Sequence, residues 1–220
     1  LFAAVGGGME RLKGYVGDVP FVEISARAAL HPARAYLFAG YLRRIVCRLR
    51  PYETVPGATD RALAEAVTLL AAAFADGSRK APALARAMRL FDDVPVAPGR
   101  RPKVAIFGDM YVRDNDVFNQ GLVRSIEEAG GEAVVTPPAD FARIVVGELR
   151  RRWRLERMIQ PLVIFGTLVR MLDRMDRHYH RHVERFLGTY RPVRMDGEGE
   201  FLAGFGVRTE HAGESVGNML

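Results

Sequence analysis

The stretch "KVAIFGDMYVRDNDVFNQGLVRSIEEAGGEAVVTP", Lys103 to Pro137, decides how this chain is read. "KVAIFGD" is a short apolar β-run of the kind found in a parallel sheet covered on both faces. "NDVFNQGLVRSIEEAGG" then predicts an amphipathic helix, with Phe118, Leu122, Ile126 and Ala129 inward and a stop at Gly130–Gly131. "EAVVTPP" predicts the next strand. Strand, helix and strand in about 35 residues make a right-handed βαβ unit, so this part of the chain reads as α/β.

Between the first strand and its helix lie Asp109, Arg113, Asp114, Asn115 and Asp116. So much polarity at the end of a core strand has three readings: a solvated loop, a ligand site, or a latch holding another segment. Loops at the carboxyl ends of parallel strands are where doubly wound folds place ligands. Asp116 is placed to cap the following helix. Arg113 either pairs with Asp109 or Asp114 and pins the loop, or faces a ligand; three nearby carboxylates oppose an anionic one unless Arg113 dominates.

Working outward towards the start, "VPFVEISAR" (19–27) reads as one strand. Leu37, Phe38, Tyr41, Leu42, Ile45, Val46 and Leu49 recur at helical spacing. Pro51, Pro56 and Gly57 end that helix. Thr59 is expected to cap a second helix, with Asp60 in its first turn and Leu63, Val67, Leu70 and Phe74 along one face. "APALARAMRLFDD" (81–93) predicts a third helix. The resulting division is a mostly helical region, 1–93, that completes an upstream domain, a linker of three prolines and a glycine at 94–102, and an α/β domain at 103–220.

Beyond Pro138 the pattern changes to two helices, the second long, with Phe165, Leu168, Leu172, Met175, Tyr179 and Phe186 as its seam. A helical insertion over about 139–188 is the simplest account. The glycine-rich tail suggests a short helix, a strand or turn at Phe205–Arg208, and a loop feeding a new helix. The chain lacks an initiator Met and stops inside what reads as a helix start, so it reads as a piece of a longer protein, truncated at its C-terminus.

Composition narrows the chemistry. Among 220 residues, 49% hydrophobic and 26% charged is an ordinary globular composition. No apolar run reaches the roughly 18 residues of a membrane span. Of the 32 basic residues only 3 are Lys, a bias that a GC-rich genome explains as well as chemistry does. Residues 143–194 hold 13 Arg against 5 acidic residues, a local net charge of +8 within a chain of net +6.

The remaining motifs are bland. The single cysteine, Cys47, can supply neither an internal disulfide nor a metal-ligand set, and reads as a small buried hydrophobe in an intracellular setting. His178 and His182, four apart in "HYHRH", lack the glutamate and third ligand of a zinc helix and read as a solvated polar face, so no metal site is expected. "RIVVGELRRRWRLER" reads as the wet face of a helix over Val145, Val146 and Leu149, or as a docking surface for an acidic partner or nucleic acid. No phosphate-binding glycine loop or nucleophilic triad has recognisable context.

"KVAIFGDMYVRDNDVFNQGLVRSIEEAGGEAVVTP", with "RLRPYETVPGATDRAL" (48–63) before it and "HAGESVGNML" (211–220) after it, resembles the 2-hydroxyacyl-CoA dehydratase and CoA-enzyme-activase-related proteins, in family order. The resemblance implies a Rossmann- or flavodoxin-like parallel sheet unit within a cytoplasmic protein carrying a four-iron–four-sulfur cluster. It also implies ATP-dependent, one-electron activation of acyl-CoA dehydration or reduction. The implied partners are an ATP-hydrolysing activase domain or subunit and an acyl-CoA substrate; the apolar runs lead to no membrane partner, and nucleic acid is disfavoured because no nucleic-acid-binding fold signature accompanies the arginines. None of the family's cysteine motifs is present, so the cluster ligands would lie outside this segment, which alone would be inactive. The candidate ligand- or interface-contacting residues are Asp109, Tyr111, Arg113, Asn115, Asp116 and Asn119 in the loop, and Glu214 and Asn218 in the tail; no catalytic base is assigned. The rival reading is a non-enzymatic binding or regulatory domain that uses the Arg-rich helix.

Overall fold

The computed structural model describes residues 26–106, 108 and 110–192. The chain divides into two units, Leu1–Arg34 and Ala35–Leu220. The second is mostly helical, with one small parallel sheet of two strands among the described residues.

Helix α1 spans Ala26–Leu49. Its expected stripe is buried: Phe38 and Ile45 are at most 2% exposed, and Leu37, Tyr41, Leu42 and Val46 are buried beside them. Pro51 turns the chain into one 3-10 turn, Arg50–Tyr52. Helices α2 (Ala58–Ala75) and α3 (Lys80–Asp92) form a hairpin over this stripe. Their contact is built from alanines: Ala62, Ala66, Ala73, Ala83 and Ala87 are buried, whereas Val67 is 49% exposed. Of the face expected for α2, Leu70 is buried and Leu63 and Phe74 pack against the core, while Ala66 takes the buried place expected of Val67. Thr59 does not cap α2. The carboxylate of Glu53 does, accepting the backbone N–H of Gly57 at 2.7 Å and of Thr59 at 2.8 Å.

The proline-rich connection after α3 is tied down. Thr54 N–H donates to the Pro95 carbonyl and Ala97 N–H to that of Tyr52, around an antiparallel bridge between Glu53 and Val96. Strand β1 (Lys103–Ile106) then pairs in parallel with β2 (Glu132–Val135), Val104 opposite Ala133 and Ile106 opposite Val135. Among the described residues one face of this sheet is covered. In β1 only Ile106 is buried, with Cys47, Val123, Ala133 and Val135, while Val104 is 40% and Val134 42% exposed.

Between the strands lie α4 (Met110–Asp114) and α5 (Leu122–Glu128), the latter much shorter than its amphipathic pattern suggests. Gln120 and Gly121 have left-handed backbone (φ 56° and 70°), which breaks the helix before Leu122. Phe118 and Leu122 of the expected face are exposed, whereas Val123 is buried and Ile126 packs beside it as expected. The stop at Gly130 is as expected, with φ 88°.

Helices α6 (Pro138–Leu155) and α7 (Ile159–His180) form a second hairpin, followed by one turn, α8 (Glu184–Leu187). The base of this hairpin joins the core through Ala139, Tyr179, Val183 and Leu187, and Tyr179 meets Phe38 edge-on at 4.8 Å. Leu172, Met175 and Phe186 of the expected seam pack there; Phe165 does not. Of the strand expected at 19–27, Ala26 and Arg27 open α1 and the rest lies outside the described residues, as does the glycine-rich tail.

Candidate functional site

Gly108 (φ 125°) turns the chain out of β1 into α4, and the expected polar loop follows. Its asparagines build it. Asn115 Oδ1 accepts the N–H groups of Val117 (3.0 Å) and Phe118 (3.2 Å). Asn119 donates through Nδ2 to the Arg113 carbonyl at 2.9 Å and accepts the Leu122 N–H at 3.1 Å. The capping expected of Asp116 is therefore done by Asn119 at the start of α5 and by Asn115 in the turn before it. Short amide side chains that both donate and accept suit such turns.

Arg113 is 2% exposed. Its Nε and Nη2 both donate to the Asp114 carboxylate at 3.3 Å, and its guanidinium lies 5.6 Å from the centre of the Phe141 ring. Nη1 has no hydrogen-bond partner among the described residues. A second cation closes the loop from behind. Arg43 of α1 donates to the carbonyls of Arg113 and Asp114, each at 3.1 Å, and pairs with the Asp114 carboxylate at 3.1 Å. Of the three readings open at this strand end, Arg113 and Asp114 make a latch to α1. Asp109, Glu214 and Asn218 lie outside the described residues, as does the Tyr111 side chain.

Asp116 is different: it is exposed, and its carboxylate makes no hydrogen bond or ion pair with any described residue. It stands at the rim of a groove of about 510 Å³ between α1, α2 and the loop. The floor is apolar (Leu42, Val46, Cys47, Leu63, Val123) and the rim carries Arg43, Arg50, Asp60 and Arg124. These rim charges are spent on each other. Arg50 donates to Glu127 at 2.6 and 2.9 Å and to Asp60 at 3.1 Å, and Arg124 donates to Asp60 at 2.6 Å. Burial pushes the Asp60 carboxyl up, but the two guanidiniums outweigh it and hold it below the usual range.

A second polar cluster has no counterpart in the sequence motifs. Arg143 of α6 is 7% exposed and donates to Asp140 (2.5 Å), Asp173 (2.7 Å), Asp176 (2.7 Å) and the Tyr190 hydroxyl (2.8 Å). Tyr41 of α1 donates its hydroxyl to the Asp176 carboxylate at 2.5 Å, and burial followed by that charge pushes its pKa far up. Burial works against the charge on Arg143, but the carboxylates outweigh it and keep the group cationic. This network joins α1, α6, α7 and the segment after α8 beside a cavity of about 200 Å³, into which Arg44, lowered by burial, also faces. Its partners lie as far as 135 residues apart in sequence, so no local motif announces it.

Of the pair read as a solvated face, His178 is exposed and His182 half-buried. His180 is 5% exposed, donates from Nε2 to the Gly188 carbonyl at 2.8 Å and meets Tyr41 and Tyr190 edge-on. No group of three His, Cys, Asp or Glu able to hold a metal occurs among the described residues. Cys47 is buried, and burial, then Glu127, pushes its thiol up to about 11. A thiolate is what ligates iron. One cysteine supplies at most one of the thiolates that hold an iron–sulfur cluster, so no ligand set for one is complete among the described residues. Comparison with protein families, curated proteins and solved structures found nothing that matches the chain.

Proposed function

We propose that this chain is a segment of an iron–sulfur protein related to 2-hydroxyacyl-CoA dehydratase and its ATP-dependent activase system, and that it acts as scaffold and partner surface rather than as the redox centre. The observation that carries the reading is the place of the stretch "GDMYVRDND": at the carboxyl end of β1 in a parallel strand–helix–strand unit, where open α/β sheets bind ligands. On this reading β1, α5 and β2 belong to a Rossmann- or flavodoxin-like sheet. The cluster ligands come from outside these residues. An ATPase domain or subunit is the partner, and an acyl-CoA is the substrate class.

Within the loop the roles divide by burial. Arg113, Asp114, Asn115 and Asn119 hold the loop's own shape, whereas the Asp116 carboxylate is left over for something outside it. The test is Asp116→Ala in the complete protein. ATP-dependent electron transfer should fall at least tenfold with no change in thermal midpoint. Unchanged activity would remove Asp116 from the contact surface, and equal losses of activity and stability would make it part of the scaffold.

A further inference from the structure

The α6–α7 hairpin is held to the body at its base, where Ala139, Asp140, Arg143 and Ile144 of α6 face Asp176, Tyr179 and His180 of α7 in the buried set. At a rise of about 1.5 Å per residue, Leu155 lies roughly 16 Å along α6 beyond Ile144. There the apolar side chains are open to solvent: Leu155 is 70%, Ile159 74% and Val163 63% exposed. Trp153 packs against Phe165 with ring centroids 4.9 Å apart and planes tilted by 37°, which joins the two helices near this end.

Two observations say what covers the tip. Val163, Ile164 and Phe165 are consecutive, so they point in directions roughly 100° apart, and they are 63%, 48% and 36% exposed. A flat protein surface reaches one side of a helix; a lipid interface surrounds a tip that enters it. The second is charge. Residues 159–172 hold one charged residue, Arg170, and just before them stand Arg154 and Arg157, both exposed, while Arg152 donates to Glu156 at 2.8 Å. An apolar run of that length is too short to span a bilayer, and no described helix is long and apolar enough to cross one. Such a run, with the exposed Arg154 and Arg157 at its start, suits the interfacial layer of a negatively charged membrane.

We propose that the hairpin tip is a docking site for an anionic phospholipid surface, with Leu155, Ile159 and Val163 entering the acyl boundary and Arg154 and Arg157 meeting headgroup phosphates. This goes beyond the dehydratase reading, does not depend on it, and departs from the sequence-based expectation of no membrane partner. Nucleic acid or an acidic protein would engage the arginines but leave the apolar tip without a role.

The test uses the full chain with vesicles of phosphatidylcholine, with and without phosphatidylserine. Trp153, the one tryptophan in the sequence, reports directly. Vesicles containing phosphatidylserine should sediment the protein and shift the Trp153 emission to the blue, pure phosphatidylcholine should do so far less, and added salt should reverse it. Arg154→Gln with Arg157→Gln should weaken binding about thirty-fold, at about five-fold per arginine. Ile159→Asp with Val163→Asp should abolish the shift at an unchanged unfolding temperature. Failure to bind the anionic vesicles, binding by the Asp variant equal to the parent, or binding of an acidic polypeptide or DNA without vesicle binding would each overturn the proposal.

Discussion

Replacing Arg143 by Met probes the joint on which the second hairpin sits. The substitution keeps most of the side-chain volume but takes the guanidinium away from two buried carboxylates, Asp140 and Asp176, 7% and 5% exposed. Removing one partner of a buried ion pair costs about 3–5 kcal/mol, because a desolvated charge is left behind. Asp176 keeps the Tyr41 hydroxyl at 2.5 Å and the Tyr190 hydroxyl at 3.3 Å, which places the cost near the lower end, about 3 kcal/mol. For a chain of this size that lowers the thermal midpoint by about 6–12 °C. Asp173, whose side chain is 37% exposed, should matter little: Asp173→Asn is expected to cost less than about 1 kcal/mol. Calorimetry of the two single variants, and of Arg143→Met combined with Asp176→Asn, makes the comparison. The combination should recover part of the loss, since it removes one of the buried charges. A midpoint within about 1 °C of the parent for Arg143→Met, or equal losses for the Arg143 and Asp173 variants, would refute the hub.

Three other sites give outcomes of their own. Glu53→Ala should cost about 1–2 kcal/mol at neutral pH by uncapping α2. Burial pushes the Glu53 carboxyl up, but hydrogen bonds from Thr59 and Gly57 outweigh it and hold its folded pKa below 4.5. Its contribution is therefore present above about pH 4.5 and lost as pH falls through the lowered folded value, so unfolding curves of parent and variant should converge in acid. A gap that widens in acid would contradict the cap. Cys47 should resist a thiol reagent at about pH 8 in the native protein and react on denaturation. Because its folded pKa is raised from 9.0 to about 11, it adds stability that is present below about pH 9 and fades as pH rises towards 11. Fast native labelling would contradict its burial. Gly131→Ala places a Cβ 2.9 Å from Ile126 Cγ2 and 3.1 Å from the Ile126 carbonyl, and should cost about 1–3 kcal/mol in denaturant unfolding. A neutral result would mean that the α5–β2 corner has room.

The parts of the fold carried by local periodicity were legible. The α1 stripe from Leu37 to Val46, the breaks at Pro51 and Gly130, and the two long helices after Pro138 all follow from spacing and turn residues. What misled was size: Val67 and Phe118 look like core because they are large, yet Ala66 and Val123 take the buried places. α2 and α3 meet through alanines, and left-handed backbone at Gln120 shifts the face of α5. The strand-end loop was visible as a polar cluster, but its assembly was not. Arg43, the second cation of the latch, lies 70 residues upstream of Arg113. The Arg143 network was invisible for the same reason, since its aspartates look like ordinary helix-surface charges until Tyr41 and Tyr190 close over them.

Iron decides the proposal that this chain serves an ATP-activated iron–sulfur system without supplying the cluster ligands. The complete protein containing this sequence should be purified without oxygen, assayed for iron and sulfide, and followed by electron paramagnetic resonance during ATP-dependent reduction. A cluster whose iron content survives Cys47→Ser and whose reduction requires ATP is the expected result. Absence of iron from the anaerobic complete protein, or loss of the cluster with Cys47→Ser, would contradict it.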